Sequence, residues 1–241
     1  MQYTITASGR VLGPVYLCLQ EPTGRIGPLA ERNLPDTPNV LLTCSKSGKL
    51  TTSLVEYYLD KGLVPIVKSN SKNMGFVVDH WSGQVDTHLY NSRFGVNDVP
   101  NCEVLTVPKN CTSECQPLDV VFFRQYKYFL KRITEFAQLH PQGDDTSPIH
   151  QRNNIAILQS VLDYQMSATM FQPLIRYCWY KAGICNEKEP FLNVKQACFS
   201  FGQKQCELLD CNIAAFVQCA RCRKCICFHC FYWLYHSPAK G

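Results

Sequence analysis

Residues 108–119 read PKNCTSECQPLD and place one acid, Asp119, where a long amphipathic helix is predicted to begin. Upstream, residues 76–83 read FVVDHWSG, so a second acid, Asp79, ends a short apolar strand. An acid at the end of a buried strand and an acid in the first turn of a helix can converge on one point. Converging carboxylates suit Mg²⁺ or Mn²⁺, the usual ions of phosphodiester chemistry. We therefore predict that Asp79 and Asp119 share a divalent-metal site.

Each acid also has an ordinary structural explanation. Asp119 can satisfy the free N–H groups at a helix start, and Asp79 can be a turn residue after a strand. The order of the predicted elements favours the metal site. A hairpin, a strand and a helix come first, then a strand ending in an acid, another strand, and a helix that starts with an acid.

Local patterns predict the elements around the two acids. Alternation and turn signals indicate strands, and apolar residues at helical spacing indicate helices. In the helix that contains Asp119, Phe123, Tyr126, Leu130 and Ile133 form an apolar stripe, and three basic residues lie on another face. The predicted elements are a hairpin over 2–19 with its turn at Ser8 and Gly9, a loop over 21–38, a strand over 40–44, a helix capped by Thr52 or Ser53 and stopped by Gly62, strands over 75–79 and 103–107, and helices over 117–139, 149–165 and 170–182.

Composition limits the class of protein. The chain has 241 residues, is 46% hydrophobic and carries a formal charge of +5, which allows a sizeable core and suits a phosphate-rich partner. The start of the sequence lacks the pattern of a signal peptide, and no apolar run approaches the roughly 20 residues of a membrane span. We therefore expect a reducing compartment, in which clustered thiols indicate metal binding rather than disulfides.

Nearly half of the 15 cysteines cluster near the end of the sequence, where they form three closely spaced pairs and one extra thiol. Such pairs can bind Zn²⁺ tetrahedrally and stabilise a small fold. Seven ligands suggest one complete and one incomplete site, or two sites with His229 or water completing the second. The spacing does not show which pairs share an ion, Cys225 is predicted to be spare, and a cluster of free thiols is the alternative. The predicted ligands are Cys206, Cys211, Cys219, Cys222, Cys227, Cys230 and His236.

Four segments together resemble the DDE-superfamily endonuclease domain of pogo-like and centromere-protein-B-like transposases, in the wider mariner-like group. Residues 108–119 resemble the family's "PPNTTS…QPLD" block, and residues 78–83 resemble the block around its second catalytic acid. Residues 4–12 and 47–51 resemble the hairpin and the segment before the first large helix. The cysteine-rich segment resembles a module that follows the nuclease domain in some invertebrate transposase-like proteins, where a His stands at the position of Cys230.

The resemblance implies a function and its residues. Asp79 and Asp119 would be the second and third metal-binding acids, holding Mg²⁺ or Mn²⁺ for DNA hydrolysis and strand transfer. The expected partner is DNA, with no membrane; a homo-oligomer is left open, and the expected location is nuclear. Basic residues near Asp119 would track the DNA backbone, with a solvated helix face as the alternative. These basic residues are Lys109, Arg124, Lys127 and Lys131.

The family's first acid lies on a central strand upstream of the hairpin, and here the hairpin starts at Gln2. We therefore expect that strand and its acid to be absent, and the family's helix-turn-helix region to be absent as well. The chain would then be a fragment, or show an open slot in its sheet, or close the slot by another pairing, because buried unpaired strand edges are costly. Catalysis by this chain alone is not expected.

The predicted fold class is α/β. A ribonuclease-H-like mixed sheet lacking its first strand is expected over 1–139, a linker over 140–148, a helical extension over 149–200 and a zinc module over 201–237. The rival interpretation is a non-catalytic DNA- or protein-binding zinc module in which the two acids are idle. A secreted cysteine-rich protein is a third hypothesis.

Overall fold

A computed structural model describes residues 1–67, 74–95, 102–140, 149 and 151–237. Helices and short strands alternate through the first half of the chain, and helices dominate the second half until the cysteine-rich end. The strands are β1 (Val15–Gln20), β2 (Val40–Ser45), β3 (Met74–Val78), β4 (Cys102–Thr106), β5 (Val217–Gln218) and β6 (Cys225–Ile226); the helices are α1 (Pro28–Arg32), α2 (Thr52–Tyr58), α3 (Val64–Val67), α4 (Thr87–Phe94), α5 (Thr112–Cys115), α6 (Phe123–Leu139), α7 (Arg152–Met166), α8 (Gln172–Lys181) and α9 (Val194–Cys198).

The strands of the first half form two separate groups. In one group β1 pairs in parallel with β2, and residues 2–6 fold back antiparallel onto residues 10–16 through the predicted hairpin. Gly9 has a φ of 91° in the turn, a conformation that favours glycine. In the other group β3 pairs in parallel with β4. No hydrogen-bonded ladder joins the two groups within the described residues.

A cavity of about 760 Å³ separates these groups, lined by residues 1–7 on one side and 74–79 on the other. Gln2, Thr4 and Thr6 bond to the 10–16 segment, which leaves the backbone groups of the alternate residues Tyr3 and Ile5 on the edge facing the cavity. This cavity lies where the sequence led us to expect an open slot, and we call it the open slot; that it marks a missing strand stays a prediction.

Several predicted elements differ from the observed ones. The predicted loop over 21–38 contains α1, and α4 was not predicted. Gly62 does not stop its helix: a π-helical turn (Leu59–Leu63) carries the chain from α2 into α3. A Cβ at Gly62 would lie 2.8 Å from the Tyr58 ring. Close packing, rather than helix termination, therefore accounts for glycine at this position.

The helix that contains Asp119 begins with a second π-helical turn (Leu118–Phe122) that leads into α6. Its buried face includes Tyr126 and Ile133, as predicted, together with Phe122 and Phe129. The predicted Phe123 and Leu130 are only half-buried. Two of the four positions in the buried stripe are therefore shifted by one residue from the predicted ones. The reason is that the residues packed against this helix come from distant parts of the chain. One of them is Phe231, whose ring is parallel to that of Phe129 at 6.2 Å.

Two apolar cores hold these elements together. A smaller core lies under β1, α2, α3 and α4. The larger core joins α6, α7, α8, α9 and the cysteine-rich end, and it draws on each of the ranges 1–139, 149–200 and 201–237 that we predicted as units. The predicted boundaries remain predictions, and the linker over 140–148 lies outside the described residues except for His140. Within the described ranges, no helix combines the length and apolarity needed to cross a bilayer.

Candidate metal centres

Asp79 follows β3 directly and is fixed by short contacts. Its Oδ1 accepts hydrogen bonds from the Thr112 hydroxyl at 2.9 Å and from the His80 N–H at 2.8 Å. Thr112 begins α5, inside the 108–119 segment, so the two motifs singled out in the sequence are in contact. The side chain is half-buried and borders the open slot.

Asp119 lies in the π-helical turn that precedes α6. The residue is exposed, so its carboxylate loses only part of its hydration. Burial nevertheless raises the pKa of this carboxyl above its ordinary value, and the negative charge of Asp79 raises it further, whereas Lys127 lowers it. The negative charge of Asp79 is therefore close enough to Asp119 to affect the carboxyl of Asp119.

Carboxylate oxygens are the ligands that hard divalent ions prefer, and a cation would relieve the repulsion between the two acids. Asp79 and Asp119 therefore fit Mg²⁺ or Mn²⁺ by ligand type. In the described part of the chain, no third acid or histidine joins them to make a group of three ligands.

The basic residues predicted to contact DNA are all exposed. Arg124, Lys127 and Lys131 lie on α6, and Lys127 is close enough to Asp119 to affect its pKa. Lys131 forms an ion pair with Glu135 at 3.5 Å. Lys109 precedes Asn110, whose φ of 65° turns the chain toward α5. The basic face therefore begins beside the acidic pair.

The cysteine-rich end brings its first and third predicted pairs together. The sulfur atoms of Cys206, Cys211, Cys227 and Cys230 all lie within 4.8 Å of one another. The Cys211 and Cys227 sulfurs are 3.7 Å apart, close to the ~3.8 Å that tetrahedral Zn–S bonds require. The Cys230 N–H points at the Cys227 sulfur at 3.4 Å. We call these four residues the four-thiol cluster.

The second predicted pair joins His236 instead. The ligand atoms of Cys219, Cys222 and His236 also lie within 4.8 Å of one another, and we call these three residues the thiol–histidine cluster. Burial alone would raise the pKa of the Cys219 thiol, but hydrogen bonds from His236 and the Cys222 N–H outweigh it and lower the pKa to about 6. The thiolate, which is the form that binds metal, is therefore favoured.

All 15 cysteines are free thiols, and Cys225 and His229 belong to neither cluster. That Cys225 is spare stays a prediction, and His229, one of the two candidates for completing the second site, does not join the second cluster. Sequence reasoning missed Thr112 and Gln165. The only sequence signal for the role of Thr112 was that its hydroxyl lies inside the 108–119 motif. No local pattern around Gln165 indicated that it contacts Cys219.

Comparison with known families bears directly on this arrangement. The family model described as DDE superfamily endonuclease matches residues 24–173, more than half of the chain. The chain belongs to the DDE superfamily endonuclease family. The match includes both acids, Asp79 and Asp119, and the helix α7.

A second family model, described as the Tc5 transposase C-terminal domain, matches residues 179–237 of this DDE-family chain. That range contains both cysteine clusters. Together the two matches show that the protein derives from a pogo- or Tc5-like transposase, as the sequence motifs predicted. No curated protein and no solved structure gives a significant match.

Proposed function

We propose that this DDE-family protein binds DNA and holds Mg²⁺ or Mn²⁺ between Asp79 and Asp119, in a ribonuclease-H-like domain descended from a DNA strand-transfer enzyme. The contact between the two acid-bearing motifs, in which the Thr112 hydroxyl donates to Asp79 Oδ1 at 2.9 Å, carries the proposal, and the effect of the Asp79 charge on Asp119 supports it. A divalent ion held there would supply an activated water and stabilise charge on a phosphodiester. The family membership supports DNA as the substrate class and the nucleus as the location.

The residues around the acids support a binding role in detail. Thr112 and the His80 N–H orient Asp79 by occupying Oδ1, which leaves Oδ2 for a cation. Lys127 offers a positive charge next to Asp119 that can meet a phosphate. A DNA backbone that follows α6 would then pass the acidic pair.

The open slot beside β3 leads us to expect weak catalysis. Asp79 lies at the end of β3, and β3 has a sheet neighbour on one edge only in the described structure. Catalytic carboxylates need close positioning to accelerate phosphodiester cleavage, and removal of one ligand usually disables a two-metal site. We therefore propose that this chain binds metal and DNA but cuts DNA poorly.

Metal binding at the acidic pair is expected to stabilise the protein. At a Mn²⁺ concentration ten times the Kd, the gain is about 1.4 kcal/mol, or roughly 3 to 6 °C in Tm for a chain of this size. Asp79→Asn and Asp119→Asn should each remove this gain, which thermal denaturation with and without Mn²⁺ measures. Without metal, Asp119→Asn should be neutral or slightly stabilising, because the raised folded-state pKa means that ionisation of Asp119 opposes folding.

Asp36→Asn serves as the matched control, since Asp36 is an exposed loop acid and should leave the Mn²⁺ effect intact. A Mn²⁺ effect that survives in both Asp79→Asn and Asp119→Asn would refute the acidic metal site. Nicking of a supercoiled plasmid that needs Mn²⁺ and disappears in both variants would show that the slot does not prevent catalysis.

DNA binding is expected to weaken with salt through the basic face of α6. Lys127→Gln should reduce the slope of log K against log salt by about 0.9, the value for one phosphate contact. Lys131→Gln should have a smaller effect because Lys131 already pairs with Glu135. Fluorescence anisotropy of a labelled duplex at several salt concentrations measures both slopes. Equal slopes for the wild type and Lys127→Gln would place the DNA elsewhere.

The alternative is a non-catalytic module in which the cysteine-rich end contacts DNA or protein and the acids are idle. Its exposed apolar side chains, such as Leu209 at 96% relative exposure, favour a protein contact there. DNA binding that is unchanged by Mn²⁺ and by all substitutions on α6, yet lost when the cysteine clusters lose metal, would favour this alternative.

A further inference from the structure

The two cysteine clusters differ in the number of ligands that they offer. The four-thiol cluster supplies four sulfur atoms, which closes a tetrahedral site in the way that structural zinc sites are closed. The thiol–histidine cluster supplies two sulfurs and one nitrogen, and no fourth His, Cys, Asp or Glu joins it in the described part of the chain. Three protein ligands and one free position are the pattern of metal sites that exchange ligands.

The free side of the thiol–histidine cluster faces open space rather than packed protein. A cavity of about 220 Å³ is lined by all three ligands together with Arg221 and Ser237. This volume corresponds to about seven water molecules at the ~30 Å³ that each occupies in the liquid. The cavity can therefore admit a small molecule to the fourth position.

A buried polar side chain beside the cluster, Gln165, does not take that position. Gln165 is fully buried, and its amide oxygen accepts the Ala220 N–H at 2.7 Å. Its amide nitrogen donates to the Cys219 sulfur at 3.4 Å. Because both ends of the amide are engaged, Gln165 orients Cys219 from behind and leaves the fourth position free. This is the orienting role that residues next to metal ligands usually have.

A fixed positive charge lies at the same cavity. The Arg221 guanidinium donates to the Tyr164 carbonyl at 2.9 Å and to the Ser167 hydroxyl at 3.2 Å, and it lies over the Tyr164 ring. These contacts hold the guanidinium in place beside the ligands. A cation next to a free coordination position favours an anionic donor over a neutral one.

We propose that the thiol–histidine cluster binds a metal ion with an exchangeable fourth position, and that this position takes a small anionic donor such as a carboxylate or a thiolate. Arg221 selects for the negative charge, and Gln165 positions Cys219. The proposal needs metal at the second cluster but does not depend on the acidic pair or on DNA.

Cobalt substitution tests the proposal with azide as the anionic probe. The full chain loaded with Co²⁺ should hold two ions, and azide should change the d–d absorption of one ion in a saturable titration while the other stays unchanged. Arg221→Gln should weaken the apparent azide affinity by about 1.4-fold to fivefold, the range for an exposed charge pair. The titration contains neither Mg²⁺ nor DNA, so its outcome is separate from that of the nuclease proposal.

Arg223→Gln is the matched control, because Arg223 lies in the same turn but donates to the Ala197 carbonyl and to Gln218 instead. It should leave the azide affinity unchanged. Three results would overturn the proposal: one cobalt ion per folded chain, a cobalt spectrum that azide does not alter, or an equal loss of affinity in Arg221→Gln and Arg223→Gln.

Discussion

We predict that the cysteine clusters hold zinc, so that a chelator should unfold the cysteine-rich end, residues 201–237, and loosen the helices packed on it. Without a cation, the sulfurs of the four-thiol cluster have no common partner, and the short strands β5 and β6 are too small to hold the segment. Binding of a structural zinc ion contributes about 10–16 kcal/mol of apparent free energy in small zinc domains. A strong chelator should therefore abolish the fold of this segment.

The effect should extend into the larger core. The rings of Phe216 and Phe228 pack against Phe136 of α6 with centroid distances of 4.7 and 4.8 Å, and the Tyr232 hydroxyl donates to the Asn154 carbonyl of α7 at 3.0 Å. Unfolding of the segment would expose this face of α6 and α7. Tryptophan fluorescence and hydrogen exchange of α6 during chelation measure the loss.

A pair of substitutions two positions apart separates metal loss from packing loss. Cys227→Ala removes a ligand of the four-thiol cluster, whereas Cys225→Ala removes a buried thiol outside both clusters. We expect Cys227→Ala to lose one of two zinc ions by elemental analysis and to be poorly folded. Cys225→Ala should retain both ions and lose only about 1–2 kcal/mol, the scale of a small core truncation. Similar metal content in the two variants would contradict the cluster assignment.

Asp163→Asn is expected to stabilise the protein, and to do so more strongly as the pH rises. Asp163 is 4% exposed on α7. Its Oδ2 accepts a hydrogen bond from the Asn39 amide at 2.8 Å, and its Oδ1 has no partner. Burial raises the pKa of this carboxyl from its ordinary 3.8 to about 7, against the opposing effects of the Asn39 hydrogen bond and the Arg221 charge.

The direction of the pH dependence follows from the raised pKa. The unfolded chain releases the proton near pH 4 and the folded chain near pH 7, so Asp163 lowers the stability progressively as the pH rises between these values. The full loss is on the order of 4 kcal/mol at 1.36 kcal/mol per pKa unit. Asn keeps the contact with Asn39 without the charge, which removes this loss.

Chemical denaturation at pH 5 to 8 measures the difference between the wild type and Asp163→Asn. We expect this difference to grow by about 2.5 kcal/mol from pH 5 to pH 8. Metal binding by thiolates has its own pH dependence, but it is common to both proteins and cancels in the difference. Asp36→Asn, an exposed acid, should differ from the wild type by less than about 0.5 kcal/mol at every pH. A constant difference for Asp163→Asn would show that Asp163 is already ionised in the folded protein at pH 5, so that its pKa is not raised to about 7.

Local patterns in the sequence were sufficient for the strands β1 to β4 and for the helices α2, α6, α7 and α8. The β-prone runs correctly placed β1, β2, β3 and β4, and the apolar residues predicted for α7 and α8, such as Leu162 and Leu174, are buried. The failures share one cause. The π-helical turns at Leu59–Leu63 and Leu118–Phe122 and the helix α4 depend on packing between distant segments, which no short window of sequence contains.

The amino-acid sequence by itself determined the chemistry of this protein: two acids in a DDE-family order, and cysteine pairs whose short spacing can hold two sulfurs near one ion. Tertiary structure alone decided how these groups are combined. It placed Thr112 on Asp79, joined the first cysteine pair to the third, and left the second pair with His236 beside an open cavity. The physical reason is the separation of the ligands along the chain. Two to four intervening residues are enough to hold the two cysteines of one pair near each other. Which pairs share an ion depends instead on the hairpin of β5 and β6 and on the helices packed against it.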